Sequence, residues 1–211
     1  MAMTDRPNYA YWQSAGAYWT TEYERRRLEQ PYYMLQELAW LAVFTAAAPA
    51  TVLELGCGVG RHLRYLRDVP GISVHGADQS PTMLEGVRSW ADEDWAARHL
   101  TLVEPTGRLP FDDDQVDFVF SCEALIHVHP DDLAGRLAEM HRVARRAVLH
   151  IEPAPGVLIH EAAHDGSWCH DLVAAWAGLG HAADAVGQVC ATQHLVIATK
   201  AGERLDGAYL N

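Results

Sequence analysis

The chain has 211 residues, of which 49% are hydrophobic and 21% are charged, and its formal net charge at pH 7 is −12. This length suits a single domain with a sizeable buried core. The acidic balance argues against nucleic acid or an anionic membrane surface as a partner, and it leaves a basic or zwitterionic small molecule open.

No apolar run approaches the 18 residues or so of a membrane-spanning helix, and Met1–Arg6 lack the pattern of a signal peptide. We therefore expect a cytoplasmic protein, either a monomer or a homodimer. The four cysteines form no C-x-x-C pair, which fits reduced thiols.

Aromatic residues are concentrated near the N-terminus. Trp12, Trp19 and Tyr23 recur at nearly helical spacing, so residues 8–28 are predicted to form an amphipathic helix. Its rings either pack the helix onto the domain or form a lid, because aromatic faces attract cations and exclude water. A second helix is predicted over Pro31–Ala47.

The most informative stretch is a short apolar strand followed by Gly56, Gly58 and Gly60. A glycine-rich turn between a strand and a helix lets a ligand approach the backbone closely. A second strand near Ile72–Ala77 would bring Asp78 to the same end of the sheet, where its carboxylate can accept hydrogen bonds from a ribose diol. The combination predicts an adenosine-type ligand.

The spacing G-x-G-x-G lacks the third glycine of the dinucleotide pattern G-x-G-x-x-G. Glu54 within the strand would repel a pyrophosphate, whereas it suits a cationic ligand. A nicotinamide-dependent oxidoreductase is nevertheless the alternative enzyme, because Asp78 follows the glycines by about 20 residues.

Downstream, Ser80-Pro81 predicts a capped helix start. Cys122, Glu123 and His127 follow a predicted fourth strand, where side chains of a parallel sheet face the ligand crevice. The remaining predicted elements are helices through Val87, over Glu93–His99, from Pro130 to Val143 and up to Leu179, and strands over Leu100–Val103, Val116–Ser121, Ala147–Ile151, His181–Val189 and Gln193–Lys200.

The segment His160-Glu-Ala-Ala-His164 matches the H-E-x-x-H pattern of zinc metalloproteases. A chain of this composition produces that pattern by chance in roughly 4% of cases, and no further ligand stands at a matching distance downstream. A protease is therefore rejected. A metal held by His160, His164 and either His170 or Glu152 stays open beside the simpler interpretation of surface or pocket histidines, and we predict no metal site.

Several motifs resemble those of the class I S-adenosylmethionine-dependent methyltransferases and follow that family's order over residues 51–150. They are Val52-Leu-Glu-Leu-Gly-Cys-Gly-Val-Gly60, Gly76-Ala-Asp78, Met83-Leu84, Leu109-Pro-Phe111, Asp117-Phe-Val119 and Leu125-Ile-His127-Val128. The resemblance implies a seven-stranded, mostly parallel α/β sheet of order 3-2-1-4-5-7-6 with an antiparallel last strand. It also implies a helical lid over 1–48, a Rossmann-like domain over 49–200 and a tail over 201–211.

The resemblance implies S-adenosyl-L-methionine as cofactor, S-adenosyl-L-homocysteine as product, and methylation of a small molecule on nitrogen or oxygen. A SAM-binding regulator or partner subunit without activity is the alternative. The cofactor residues implied are Glu54, Gly56, Cys57, Gly58, Gly60, Asp78, Gln79, Met83, Thr106, Gly107 and Cys122. Pro105 stands where the family commonly has an acid for the adenine amine, which leaves that contact to Thr106 or to backbone groups.

For the acceptor, His127 is the candidate base, with a lid role or a helix cap as its alternative. The residues expected around the acceptor are Tyr11, Trp12, Trp19, Glu123, His127, His150, Trp168 and His170. Their mixture of imidazole, carboxylate and indole suits a small polar or amine-bearing acceptor.

Overall fold

A seven-stranded sheet forms the centre of the computed structural model, which describes residues 7–157, 166–201 and 203. The strands are β1 (Thr51–Leu55), β2 (Ser73–Asp78), β3 (Leu100–Leu102), β4 (Val116–Cys122), β5 (Ala144–Pro153), β6 (Ala183–Cys190) and β7 (Gln193–Thr199). Their order is β3-β2-β1-β4-β5-β7-β6. The pairs among β1 to β5 are parallel, and β7 runs antiparallel to β5 and β6. The predicted sheet order is confirmed.

Helices cover both faces of this sheet, so its central strands are buried on both sides. Because successive side chains of a strand point to opposite faces, Phe118 and Phe120 pack with α3 and α4 while Val119 packs with α7 and α8. The helices are α1 (Pro7–Ser14), α2 (Gly16–Glu29), α3 (Pro31–Ala47), α4 (Leu63–Leu66), α5 (Pro81–Arg88), α6 (Glu93–His99), α7 (Pro130–Val143) and α8 (Leu172–Gly178).

Most predicted boundaries shift by one or two residues, and two differences are larger. The N-terminal helix is divided at Ala15 into α1 and α2, and Gly16, which follows the break, lies against the backbone of α5. Strand β5 begins at Ala144 rather than at Ala147, so Arg145 lies in the strand, where its Nε donates to Asp117 Oδ1 at 3.1 Å. The predicted cap of α5 is present, since Ser80 Oγ accepts from Met83 N at 3.2 Å.

The first two helices dock on the start of α5 through polar contacts. Ser80 Oγ donates to Trp12 O at 2.6 Å, and Gln13 Nε2 donates to Gln79 O at 2.7 Å. Thr82 Oγ1 donates to Gln13 O at 2.9 Å and accepts from Gly16 N at 3.2 Å. These bonds fix α1 and α2 over the carboxyl ends of the central strands.

Within the described part of the chain, every helix is too short or too polar to cross a lipid bilayer.

Candidate functional site

A cleft lies at the carboxyl ends of β1, β2 and β4, beneath the N-terminal helices; its empty volume is about 1020 Å³ when the open solvent at its mouth is included. Nine of the residues that the sequence analysis assigned to a site line this cleft: Trp12, Gly56, Asp78, Gln79, Met83, Thr106, Cys122, Glu123 and His127. The crevice therefore lies at the carboxyl ends of the parallel strands, as we predicted from the sequence.

Asp78 is fixed in the cleft wall by backbone donors. Its Oδ2 accepts from Gly58 N and its Oδ1 from Ser80 N, both at 2.8 Å. The side chain is 8% exposed, and burial raises the pKa of the carboxyl group while the two backbone N–H groups oppose that rise. The carboxylate is thus held in one orientation at the end of β2, as a ribose ligand requires.

The glycines of the turn serve the packing of the turn itself. Gly56 has φ +76°, and a Cβ there would stand 2.4 Å from Ala124 Cβ. At Gly60, also at φ +76°, a Cβ would stand 2.7 Å from Trp90 Cζ2. Gly56 lines the cleft, whereas Cys57, Gly58 and Gly60 lie behind it. Glycine is therefore required in this turn by packing within the protein as well as by access for a ligand.

Glu54 does not line the cleft, contrary to its predicted place beside the cofactor. Its Oε1 lies 2.5 Å from His62 Nδ1, and both side chains are buried. Burial raises the pKa of Glu54 well above its usual value and lowers the pKa of His62 well below its own. Burial therefore favours the uncharged form of each group, and the two side chains share a hydrogen bond beneath the turn.

The aromatic residues of α1 and α2 form a cluster that closes one side of the cleft. The Trp12 ring stands 4.5 Å from the His127 ring between centroids and 5.7 Å from the Trp19 ring. Trp19 Nε1 donates to Tyr11 OH at 3.1 Å, and neither residue lines the cleft. Trp19 and Tyr11 thus support Trp12 from behind, which corrects their predicted contact with an acceptor.

Tyr9, which the sequence analysis did not single out, lines the cleft, and so does Tyr23, one of the three rings predicted to pack the helix or to form a lid. Tyr23 stands one helical turn after Trp19, and their ring centroids are 4.9 Å apart. In the sequence, this spacing of four residues places Tyr23 on the same helix face as Trp19.

The loop after β3 contributes Glu104, Pro105 and Thr106 to the cleft, whereas Gly107 does not reach it. Beside this loop lies Arg136 of α7, which is 5% exposed and donates from Nη2 to Glu104 O at 2.9 Å. Arg136 was not predicted as a site residue. Its signal in the sequence is a cation on the apolar stripe of α7, between Leu133 and Leu137.

On the opposite wall, a 3-10 turn over Leu125–His127 ends in His127, and Glu123 precedes the turn by two residues. His170 and Trp168, predicted to line an acceptor cavity, support this turn instead. His170 Nε2 lies 3.0 Å from both Leu125 O and Val128 O, and Trp168 N donates to Ile126 O at 2.8 Å. His160 and His164 lie outside the described residues.

A chain of buried hydrogen bonds also leads to this turn. Trp176 Nε1 donates to His150 Nε2 at 3.2 Å, which leaves the imidazole proton on Nδ1 to donate to Ser121 Oγ at 2.9 Å. Ser121 in turn donates to Glu152 Oε1 at 2.9 Å, and the same oxygen accepts from the backbone N of Ala124 and Leu125. We name these four residues, Trp176, His150, Ser121 and Glu152, the core relay.

The core relay corrects the prediction for His150, which is fully buried and does not contact the cleft. Its strand is covered by helices on both faces, so its position near the end of β5 does not bring the ring to the crevice. Burial lowers the pKa of His150 to about 3, so the ring is neutral and acts as a relay between Trp176 and Ser121.

Glu152→Gln is expected to remove one pH dependence of stability. Burial raises the pKa of Glu152 to about 7 from a usual value of 4.5. Between these values the folded chain binds more protons than the unfolded chain, so the free energy of unfolding contributed by Glu152 falls as the pH rises, by about 3 kcal/mol in total. Glutamine keeps an oxygen acceptor for the three donors and cannot ionise.

The measurement is urea unfolding of both proteins at pH 5 and at pH 8. The free energy of unfolding of the variant minus that of the wild type should be larger at pH 8 than at pH 5. Other groups such as His150 titrate in both proteins and cancel in this difference. An equal difference at the two pH values would contradict the assignment.

With this geometry established, comparison with known proteins identifies the relatives of the chain. Residues 52–147 match a family model described as "Methyltransferase domain". The chain is 33% identical over 147 residues to methyltransferase GfsG of Streptomyces halstedii, which covers 67% of this chain and 48% of that protein. It is 32% identical over 141 residues to a probable chloroplastic tocopherol O-methyltransferase of Oryza sativa subsp. japonica, with 65% and 35% covered. The chain thus spans about half or less of these curated relatives.

Among solved structures, the fold is similar to that of magnesium protoporphyrin IX methyltransferase from Synechocystis PCC 6803 with bound SAH. The TM-score is 0.65 at 18% identity, and the alignment covers 91% of this chain and 97% of that one. This likeness concerns the fold, whereas the family model matches the sequence that contains the glycine turn, Asp78 and the strands that carry them. Together they show that the chain belongs to the class I S-adenosylmethionine-dependent methyltransferases.

Proposed function

We propose that this chain binds S-adenosylmethionine in the cleft and transfers its methyl group to a nitrogen or oxygen of a small polar molecule. The observation that carries the proposal is the pairing of two walls within one cleft. One wall holds Asp78 and Gly56 at the glycine turn, and the other holds Glu123 and His127. A nucleoside and an acceptor can therefore meet between them.

The residues of the cleft fit this cofactor. Asp78 would accept from the ribose hydroxyls, Gln79 and Met83 would flank the adenine, and Thr106 would stand near its amine. S-adenosylmethionine supplies an electrophilic methyl group on a cationic sulfur when bound. The aromatic faces of Trp12 and Tyr23 favour such a positive charge and keep water away from it.

The chemical work left to the chain is positioning, because methyl transfer is an in-line displacement at carbon. The turn over Leu125–His127 is held by Glu152 and His170 from within the protein. His127 would then accept the proton that a hydroxyl or ammonium acceptor must lose.

Calorimetry with S-adenosylhomocysteine and with NAD tests the cofactor, and release of S-adenosylhomocysteine with a panel of small acceptors tests the reaction. Binding of the sulfur nucleoside together with turnover supports the proposal. Binding with no turnover by the chain alone, across the whole panel, would favour a regulatory subunit, and binding of NAD alone would favour an oxidoreductase.

His127→Asn is expected to lower kcat by about 100-fold or more, since general base catalysis typically contributes 10² to 10⁴. The affinity for S-adenosylhomocysteine should change little. His194→Asn on β7 is the control, because that residue does not line the cleft. A His127→Asn enzyme with unchanged kcat would assign the histidine to the pocket wall instead.

A further inference from the structure

Glu123 has an unusual backbone conformation for a residue with a side chain. Its φ is +52°, in the left-handed region, and its backbone N donates to Ile151 O at 3.0 Å. A conformation of this kind costs about 1 kcal/mol or more and persists where the surroundings fix it, often at functional sites. Here it accompanies a half-buried carboxylate in the cleft wall.

The side chain is held by a second chain of hydrogen bonds, of which the central one is fully buried. Arg61 Nη2 donates to Gln36 Oε1, Gln36 Nε2 donates to Gln193 Oε1, and Gln193 Nε2 donates to Glu123 Oε1, each at 2.6 Å. Gln36 on α3 is fully buried, and Gln193 at the start of β7 is 2% exposed. We name Arg61, Gln36 and Gln193 the amide relay.

The direction of the amide relay is forced by the charges at its ends. A guanidinium can only donate, so Gln36 must present its oxygen to Arg61 and its nitrogen to Gln193. Gln193 must then present its nitrogen to Glu123, where an ionised carboxylate accepts. Neither amide can be flipped without placing two donors or two acceptors face to face, so Glu123 Oε1 is fixed as an acceptor.

The charge of the cleft indicates what this carboxylate would bind. Among the described residues, the lining contains the carboxyl groups of Asp78, Glu104, Glu123 and Asp132 against one guanidinium, that of Arg136. Arg136 donates to Glu104 O in the loop after β3. The Arg61 guanidinium stands 4.7 Å from the centroid of the Tyr33 ring and 5.6 Å from that of the Tyr23 ring, outside the lining of the cleft. Beside Glu123 the cleft is lined by the phenol ring of Tyr23, a surface that favours a cation.

We propose that Gln36 and Gln193 are positioning residues that orient the Glu123 carboxylate to bind an ammonium group on the methyl acceptor, so that the acceptor class is amine-bearing small molecules. The inference rests on the proposed function and concerns recognition of the acceptor, whichever atom receives the methyl group.

The test is calorimetry on the full chain saturated with S-adenosylhomocysteine. The probes are pairs that differ in one group: ethanolamine and ethylene glycol, phenethylamine and 2-phenylethanol, tyramine and tyrosol. We expect the wild type to bind the amine of at least one pair about tenfold more tightly than the alcohol. Glu123→Gln should abolish that preference, and Gln193→Met and Gln36→Met should each reduce it severalfold.

Gln188→Met, at an exposed position on the neighbouring strand β6, is the matched control and should keep the preference. Unfolding midpoints show whether each variant folds. If Gln36→Met or Gln193→Met does not fold, Glu123→Gln still tests the inference, because its amide keeps an oxygen acceptor for Gln193. The inference is overturned if the wild type prefers no amine, or if folded Glu123→Gln retains the preference. It is also overturned if Glu123→Gln weakens S-adenosylhomocysteine, because the carboxylate would then serve the cofactor. Absence of S-adenosylhomocysteine binding by the wild type is a separate result, which refutes the proposed function itself.

Discussion

Asp78→Asn is expected to weaken the binding of S-adenosylhomocysteine by about 100-fold, because two charge-assisted hydrogen bonds to a ribose diol contribute about 3 kcal/mol or more together. In the variant, the side-chain nitrogen must also face a backbone donor, Gly58 N or Ser80 N, in place of a carboxylate oxygen. The loss therefore combines a missing acceptor for the ligand with a disturbed glycine turn.

Two ligands separate these contributions. The wild type should distinguish adenosine from 2′,3′-dideoxyadenosine by calorimetry, and Asp78→Asn should lose that distinction even where some affinity remains. Asp112→Asn, in an exposed acidic turn, is the control for the loss of one negative charge. If the Asp78 variant bound S-adenosylhomocysteine within threefold of the wild type, the ribose assignment would be wrong.

Gly16→Ala is expected to displace the two N-terminal helices from α5. A Cβ at this position would stand 2.0 Å from Thr82 O and 2.7 Å from Met83 N, which are backbone atoms of the first turn of α5. Overpacking of this kind costs about 1–3 kcal/mol, which shifts a docking equilibrium by roughly 5- to 150-fold. Trp12 and Tyr23 would leave the cleft together, and the affinity for S-adenosylhomocysteine would fall with them.

Trypsin provides a direct measurement, because Arg25 and Arg27 lie on α2 and are exposed. Cleavage there should be faster in Gly16→Ala than in the wild type. Gly135→Ala makes the same substitution on α7, where nothing lies within 4 Å of the new methyl group. That control should gain about 0.5–1 kcal/mol of stability from better helix propensity. Equal cleavage of all three proteins would contradict the docking role of Gly16.

The sequence was sufficient for the features that depend on local pattern. The glycine turn, Asp78 and the capped start at Ser80 are read from neighbours in the chain, and the strand ends place Glu123 and His127 at the crevice. The sheet order followed from the family resemblance, since the order of the final hairpin cannot be read from periodicity alone.

The parts that were missed depend on contacts between distant residues. Gln36 and Gln193 are 157 positions apart, and nothing in either local sequence announces their hydrogen bond. His150 and His170 were predicted to line an acceptor cavity, but their rings contact polar and backbone groups within the protein, and Trp168 holds the turn through its backbone N. Residue type and position along a strand do not determine that direction when helices cover both faces.

The core relay limits how the acceptor site can be moved into another protein of the same fold. Copying only the residues that line the crevice would transfer Glu123 and His127 without the buried hydrogen bonds that hold their turn. Trp176 and Ser121 must be transferred with them, although neither residue lines the crevice. Without these two residues, the transferred side chains would lack the hydrogen bonds that align them.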